Sequence, residues 1–125
     1  MSNFTLVGDF HTKFGYSTPS LAEALPAREK FLEEEVREVK EATQEVLNAT
    51  PENLKAAKAH LLKELIDVLY ITYGTLQVMG VDADAAFTEV HRSNMSKTQS
   101  SPTSKAVKGE GYTPAQMEQF IKAMA

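Results

Sequence analysis

Apolar residues recur at helical spacing through nearly the whole chain, and no segment of useful length alternates with the period of two that a half-buried strand requires. Phe4, Val7, Phe10 and Phe14 form a first stripe, with Gly15 as a natural C-terminal stop. Ser20-Leu-Ala-Glu23 reads as a capping box opening a short turn, and Pro26 as the first-turn proline of a long helix that fades near Asn48. Thr50-Pro51 supplies the next cap and first-turn proline, for a helix running to about Met79 before Gly80. Gly74 interrupts that helix at a cost of ~1 kcal/mol against alanine, which points to the close approach of another backbone. Asp82 caps a fourth helix through Ala85, Phe87 and Val90 towards Met95, and His91 on its apolar stripe reads as a half-buried histidine before a catalytic base. Residues 96–112 then lose the apolar period and become a loop rich in Ser, Thr, Gly and Lys, mobile or ordered by a ligand. Thr113-Pro114-Ala-Gln116 restarts a short final helix. The expectation is an all-α fold, a bundle of four to five helices in a single domain over residues 1–125, with no internal repeat.

Five acids break this pattern: Glu34, Glu35 and Glu38 in the first long helix, and Glu64 and Asp67 in the second. At about 100° per residue Glu35 falls inside the stripe of Phe31, Leu32, Val39 and Val46, with Glu38 on its edge. Glu64 lies between the directions of Val68 and Ile71, and Asp67 points near Val78. A carboxylate facing a core is costly unless it is paired or bound to a metal. Two such pairs at i and i+3, on helices long enough to lie side by side, make a box of carboxylates suited to Mg²⁺ or Mn²⁺. Two blander accounts stand beside this one. An acidic run is ordinarily a solvated face, as Glu33, Glu41, Glu45 and Lys40 are expected to be. Glu64 and Asp67 could also be ion-paired to Arg37, Lys63 or His60. The segment from Leu61 to Met79 is apolar almost all round, however, and a solvated face does not cover its two acids.

The net charge is −4 over 125 residues, with the negative charge gathered between Glu29 and Glu45, so nothing favours a nucleic-acid backbone as partner. The absence of cysteine removes thiolate zinc sites and disulfides, and fits a cytoplasmic protein. The amino-terminal residues have neither the basic nor the apolar region of a signal peptide, and Lys63, Glu64 and Asp67 argue against a membrane span.

Glu34-Glu35-x-x-Glu38, 25 intervening residues and Glu64-x-x-Asp67 resemble the signature of the MazG-like all-α nucleoside triphosphate pyrophosphohydrolases. Tyr73-Gly74, the run from His91 to Lys97, and Lys105-x-x-Lys108-Gly109-x-x-Tyr112-x-Pro114 are similar to the branch resembling phosphoribosyl-ATP pyrophosphohydrolase. The resemblance implies Mg²⁺ ligation by Glu35, Glu38, Glu64 and Asp67, with Glu34 assisting the metal shell or orienting the attacking water. It implies phosphate or metal-water contacts for Asn94 and Lys97, and a phosphate-holding tail of Lys105, Lys108 and Tyr112. Taken as residues alone, Asn94 could simply end its helix and the two later lysines could be surface residues. Phe10, His11 and Phe14 could line a base pocket or only pack.

The function expected is Mg²⁺-dependent cleavage of a (deoxy)nucleoside triphosphate to monophosphate and pyrophosphate, as in cleansing of the nucleotide pool. Hydrolysis of phosphoribosyl-ATP in histidine synthesis is the alternative within the same chemistry. A di-iron helical bundle is disfavoured because no histidine follows a glutamate by three residues. A non-enzymatic interaction module, using the acids as a partner face, is the remaining class. An apolar helix in so short a chain also needs outside cover, which predicts a homodimer or dimer of dimers.

Overall fold

The computed structural model describes residues 1–15 and 20–122. Its helices are α1 (Asn3–Lys13), α2 (Leu21–Leu47), α3 (Leu54–Met79) and α4 (Ala83–Met95), followed by a 3₁₀ turn at Glu118–Phe120. The all-α expectation holds: among the described residues the extended pairing is an isolated antiparallel bridge between Thr98 and Val107. The chain divides into two compact units, Met1–Gly80 and Val81–Ala125.

In the first unit the caps lie close to where the sequence puts them, with two corrections. Ser20 Oγ accepts the Glu23 N–H at 3.2 Å, but this box opens α2 itself and not a separate turn. Pro26 therefore lies inside the helix. With little more than one turn upstream, its missing N–H costs a single ladder bond and the helix continues. Thr50-Pro51 likewise does not start α3. Asn53 Oδ1 accepts the Thr50 N–H at 2.8 Å while the Asn53 N–H donates to the Thr50 carbonyl at 3.1 Å. That closed turn uses the side chain that could have capped the helix, which begins at Leu54. Gly15 (φ 66°) and Gly80 (φ 70°) adopt the left-handed conformation that ends α1 and α3.

Helices α2 and α3 form an antiparallel hairpin. At one end Arg28 donates from Nη2 to the Ile71 carbonyl (2.8 Å) and from Nε to Thr75 Oγ1 (3.1 Å), and its guanidinium lies over the Phe31 ring. At the other end His60 meets Glu45. Helix α1 runs antiparallel to α3, with Gln77 Nε2 donating to the Phe4 carbonyl at 3.0 Å and Phe10 edge-on to Tyr70. Gly74 is buried, as expected, but what approaches it is not a second backbone. A β-carbon there would land on Arg28 Nη2 and 3.0 Å from His11 Nε2. A side chain at this position would have to displace the guanidinium that lies across this turn of α3.

Helix α3 is not buried within the chain as its composition suggests. Glu64 and Gly74 are buried, yet Leu62, Leu65, Ile66 and Leu69 are 62, 46, 49 and 50 % exposed. Spaced at i, i+3, i+4 and i+7, they form one uncovered apolar stripe. Beside it lies a groove of about 270 Å³ between α1 and α3, lined in part by Leu6, Val7, Ile66 and Tyr73.

In the second unit Asp82 Oδ1 accepts the Ala85 N–H at 3.1 Å, capping α4 as expected. His91 is exposed and not half-buried, because α4 turns Ala83 and Ser93 inward. Arg92 makes two bonds to Glu89 at 2.8 Å and reaches Thr113 Oγ1 (2.6 Å) and the Pro114 carbonyl (3.1 Å). Glu89 also accepts the Gln116 N–H, and with Arg92 this holds its carboxyl down to about 2. These bonds take over the groups of the Thr113–Gln116 capping box. The final helix is accordingly absent from the described residues, which show only the 3₁₀ turn, and the last residues of the chain fall outside them.

The 96–112 loop is more regular than its composition implies. Thr98 and Val107 exchange backbone bonds at 2.8 and 2.7 Å, and Ser100, Ser101, Thr103 and Ser104 bond among themselves at the tip. Short hydroxyl side chains satisfy the turn that apolar period does not reveal.

Candidate metal centre

The i, i+3 spacing places Glu35 and Glu38 on one face of α2, and Glu64 and Asp67 on one face of α3. The antiparallel hairpin turns these faces towards each other. One carboxylate oxygen from each of the four residues lies within 4.8 Å of all the others. Glu64 is buried, and Glu35, Glu38 and Asp67 are half-buried.

The cations near this cluster answer the ion-pair account only in part. Lys63 Nζ is 2.7 Å from Asp67 Oδ2 and 3.9 Å from Glu64 Oε1, but the side chain is 69 % exposed. His60 Nε2 is 3.3 Å from Glu64 Oε1, and its Nδ1 is 2.8 Å from Glu45 Oε2. Arg37 instead pairs with Glu41 along α2. Two oxygens remain buried without a hydrogen-bond partner, Glu35 Oε2 and Glu64 Oε2. An exposed lysine on the rim does not solvate them.

The electrostatics carry the same signature. Burial, then the charges of Glu38 and Asp67, push the Glu35 carboxyl above its ordinary value. Glu64 is raised first by its contact with Glu38 and then by burial. Like charges are held together here against their repulsion. Four carboxylates with two orphaned oxygens fit a hard divalent cation that takes oxygen ligands.

Glu34 is exposed on α2 and is not part of the cluster. Phe10 and His11 do line a cavity, of about 250 Å³, together with Arg28, Phe31, Tyr70 and Ile71. Burial and the Arg28 charge lower the His11 pKa. Phe14 packs on Phe10 in a tilted ring pair at 4.7 Å and is 57 % exposed, outside the lining. Sequence reasoning did not pick out Arg28, Phe31 or Tyr70 for this cavity. The available signal was Gly74, whose missing side chain makes room for the guanidinium. In the second unit the structure brings Lys108 Nζ over the Tyr112 ring at 5.4 Å, and the Tyr112 hydroxyl accepts from Ser93 Oγ at 3.3 Å. Lys97 is half-buried; Asn94 and Lys105 are exposed.

These features define an all-α protein with a metal-competent tetracarboxylate cluster inside a helical hairpin. A family profile for phosphoribosyl-ATP pyrophosphohydrolase matches residues 9–94, and the chain belongs to that family. The matched span contains the whole cluster, the aromatic cavity and Asn94, and stops short of Lys97, Lys105, Lys108 and Tyr112. No curated protein matches the chain. Among the described residues, no helix is long and apolar enough to cross a membrane.

Proposed function

We propose that the protein is a divalent-metal-dependent nucleotide pyrophosphohydrolase that releases pyrophosphate from a (deoxy)nucleoside triphosphate. The carrying observation is the convergence of Glu35, Glu38, Glu64 and Asp67 with two buried oxygens left unpartnered. An interaction face has no use for carboxylates turned inward. A di-iron centre is disfavoured by a ligand set of four acids with no histidine in it. A bound Mg²⁺ or Mn²⁺ supplies charge neutralisation and an activated water for attack on a phosphoanhydride. The chain's own part is to hold the four acids in place, and Glu34, exposed on α2 one residue before Glu35, is proposed to orient the attacking water. The Phe10, His11, Phe31 and Tyr70 cavity offers aromatic faces for a base.

A second reading, phosphoribosyl-ATP as substrate, is favoured by the family match itself. Both readings are tested by one panel, in which phosphoribosyl-ATP and the common ribo- and deoxynucleoside triphosphates are assayed for pyrophosphate release with Mg²⁺. Turnover of at least one nucleotide, abolished by EDTA and restored by Mg²⁺ or Mn²⁺, is the expected result. No release from any of them would overturn the assignment.

Lys97, Lys105 and Lys108 are proposed to bind nucleotide phosphate, through charge-assisted bonds that tighten the 96–112 loop. The Thr98–Val107 bridge already protects those two amides. Slowing of hydrogen exchange is therefore expected at the other loop amides, on adding Mg²⁺ with a non-hydrolysable analogue. A loop that exchanges identically with and without bound nucleotide would remove this role.

A further inference from the structure

His60 sits between an acid of the cluster and an acid outside it. Its Nε2 contacts Glu64 Oε1 at 3.3 Å and its Nδ1 contacts Glu45 Oε2 at 2.8 Å. The other Glu64 oxygen, Oε2, is buried and has no partner. The two oxygens of this carboxylate are thus unequal, one tethered and one left to ligate. Glu45 follows Glu38 by seven residues on the same face of α2, so it reaches His60 across the hairpin where Glu38 reaches Glu64.

We infer that Glu45 and His60 form a brace that fixes the orientation of Glu64 and thereby sets the affinity of the cluster for a divalent cation. The inference rests on the metal-centre reading and adds two positioning residues to it. Glu38 repels Glu64, and an untethered glutamate would relieve that repulsion by rotating away. The His60 contact opposes the rotation, and the hydrogen bond that Glu45 Oε2 accepts from its Nδ1 fixes the imidazole ring in turn, as outer partners of metal ligands do. Lys63 touches the same cluster but acts differently. Its ammonium is mostly exposed and, among the described residues, pairs with no acid outside the cluster, so it brings net positive charge towards an incoming cation. His60, by contrast, is held on its far side by Glu45, an acid outside the cluster. Loss of the brace should therefore weaken metal binding, whereas loss of Lys63 should not.

Calorimetric titration of Mn²⁺ into the full chain tests this. For His60→Ala the Kd should rise by about ten- to a hundredfold. His60→Gln, which keeps an N–H donor one turn before Glu64, should recover most of that loss. Glu45→Gln should weaken binding less than His60→Ala and add nothing to it in the double variant. Lys63→Ala should bind at least as tightly as the wild type. Thermal melts of each variant separate a local effect from a loss of fold, because a purely structural defect would lower Tm and would not be rescued by glutamine. A wild-type Kd in His60→Ala, no recovery in His60→Gln, or equal weakening in Lys63→Ala would each overturn the brace while leaving the metal centre intact. Failure of the wild-type protein to bind Mn²⁺ would overturn the metal centre, and the brace with it.

Discussion

Replacing Asp67 by alanine is expected to lower nucleotide turnover by at least about a hundredfold, and to leave the metal-free fold as stable as before or more so. The two effects have one origin. Asp67 contributes one of four oxygens within 4.8 Å of one another, so its loss removes a proposed ligand and also one of the charges that raise Glu35. Its ion-pair partner Lys63 is mostly exposed and loses little by returning to water. Glu38→Ala should behave alike, since Glu38 raises both Glu35 and Glu64. Glu34→Gln makes the contrast: it should lower kcat while metal affinity stays within about twofold of wild type, because that side chain lies outside the cluster. Activity assays, Mn²⁺ calorimetry and thermal melts on the three variants read all of this. Full activity in Asp67→Ala would remove the metal assignment.

The cluster was legible in the sequence because its acids break a strong pattern. Two i, i+3 pairs on apolar stripes have to meet something, and the hairpin brings them together. The brace was not legible, since Glu45 looked like any acid on a solvated face and its partner lies 15 residues away across a turn. Periodicity reports which side of a helix faces inward, but not which polar residues meet at its edge. The same limit applies to Arg28. Its guanidinium lies across Gly74, and only the glycine was visible as an oddity. Helix starts were misplaced where a local signal had a competing use. Asn53 bonds back to Thr50, and Thr113 and Pro114 are held by Arg92. The 96–112 loop is ordered by hydroxyl groups bonding to one another, which composition does not distinguish from a mobile linker.

A homodimer built on α3 is the remaining expectation with a large effect. Leu62, Leu65, Ile66 and Leu69 form one exposed stripe on a helix whose other faces are taken up by α1 and α2. Isolated exposed leucines are ordinary, but a continuous stripe beside an apolar groove is the kind of patch that marks an interface. A second copy is the simplest occupant, because a two-fold axis lets the stripe of one protomer cover the stripe of the other. Burying a Leu or Ile side chain contributes about 1.5–3 kcal/mol. In a two-fold interface every substitution counts twice. Leu69 is already half-buried in the protomer, so Leu69→Arg should cost on the order of 2 kcal/mol in association, roughly thirtyfold in Kd, before any cost of burying the new charge. Light scattering at micromolar concentration should give a dimer or a dimer of dimers for the wild type and a monomer for Leu65→Arg/Leu69→Arg. Leu47→Arg, changing a leucine that is 70 % exposed at the far end of α2, is the control and should leave the assembly unchanged. A wild-type monomer at that concentration would refute the dimer, and the stripe would then need a different partner.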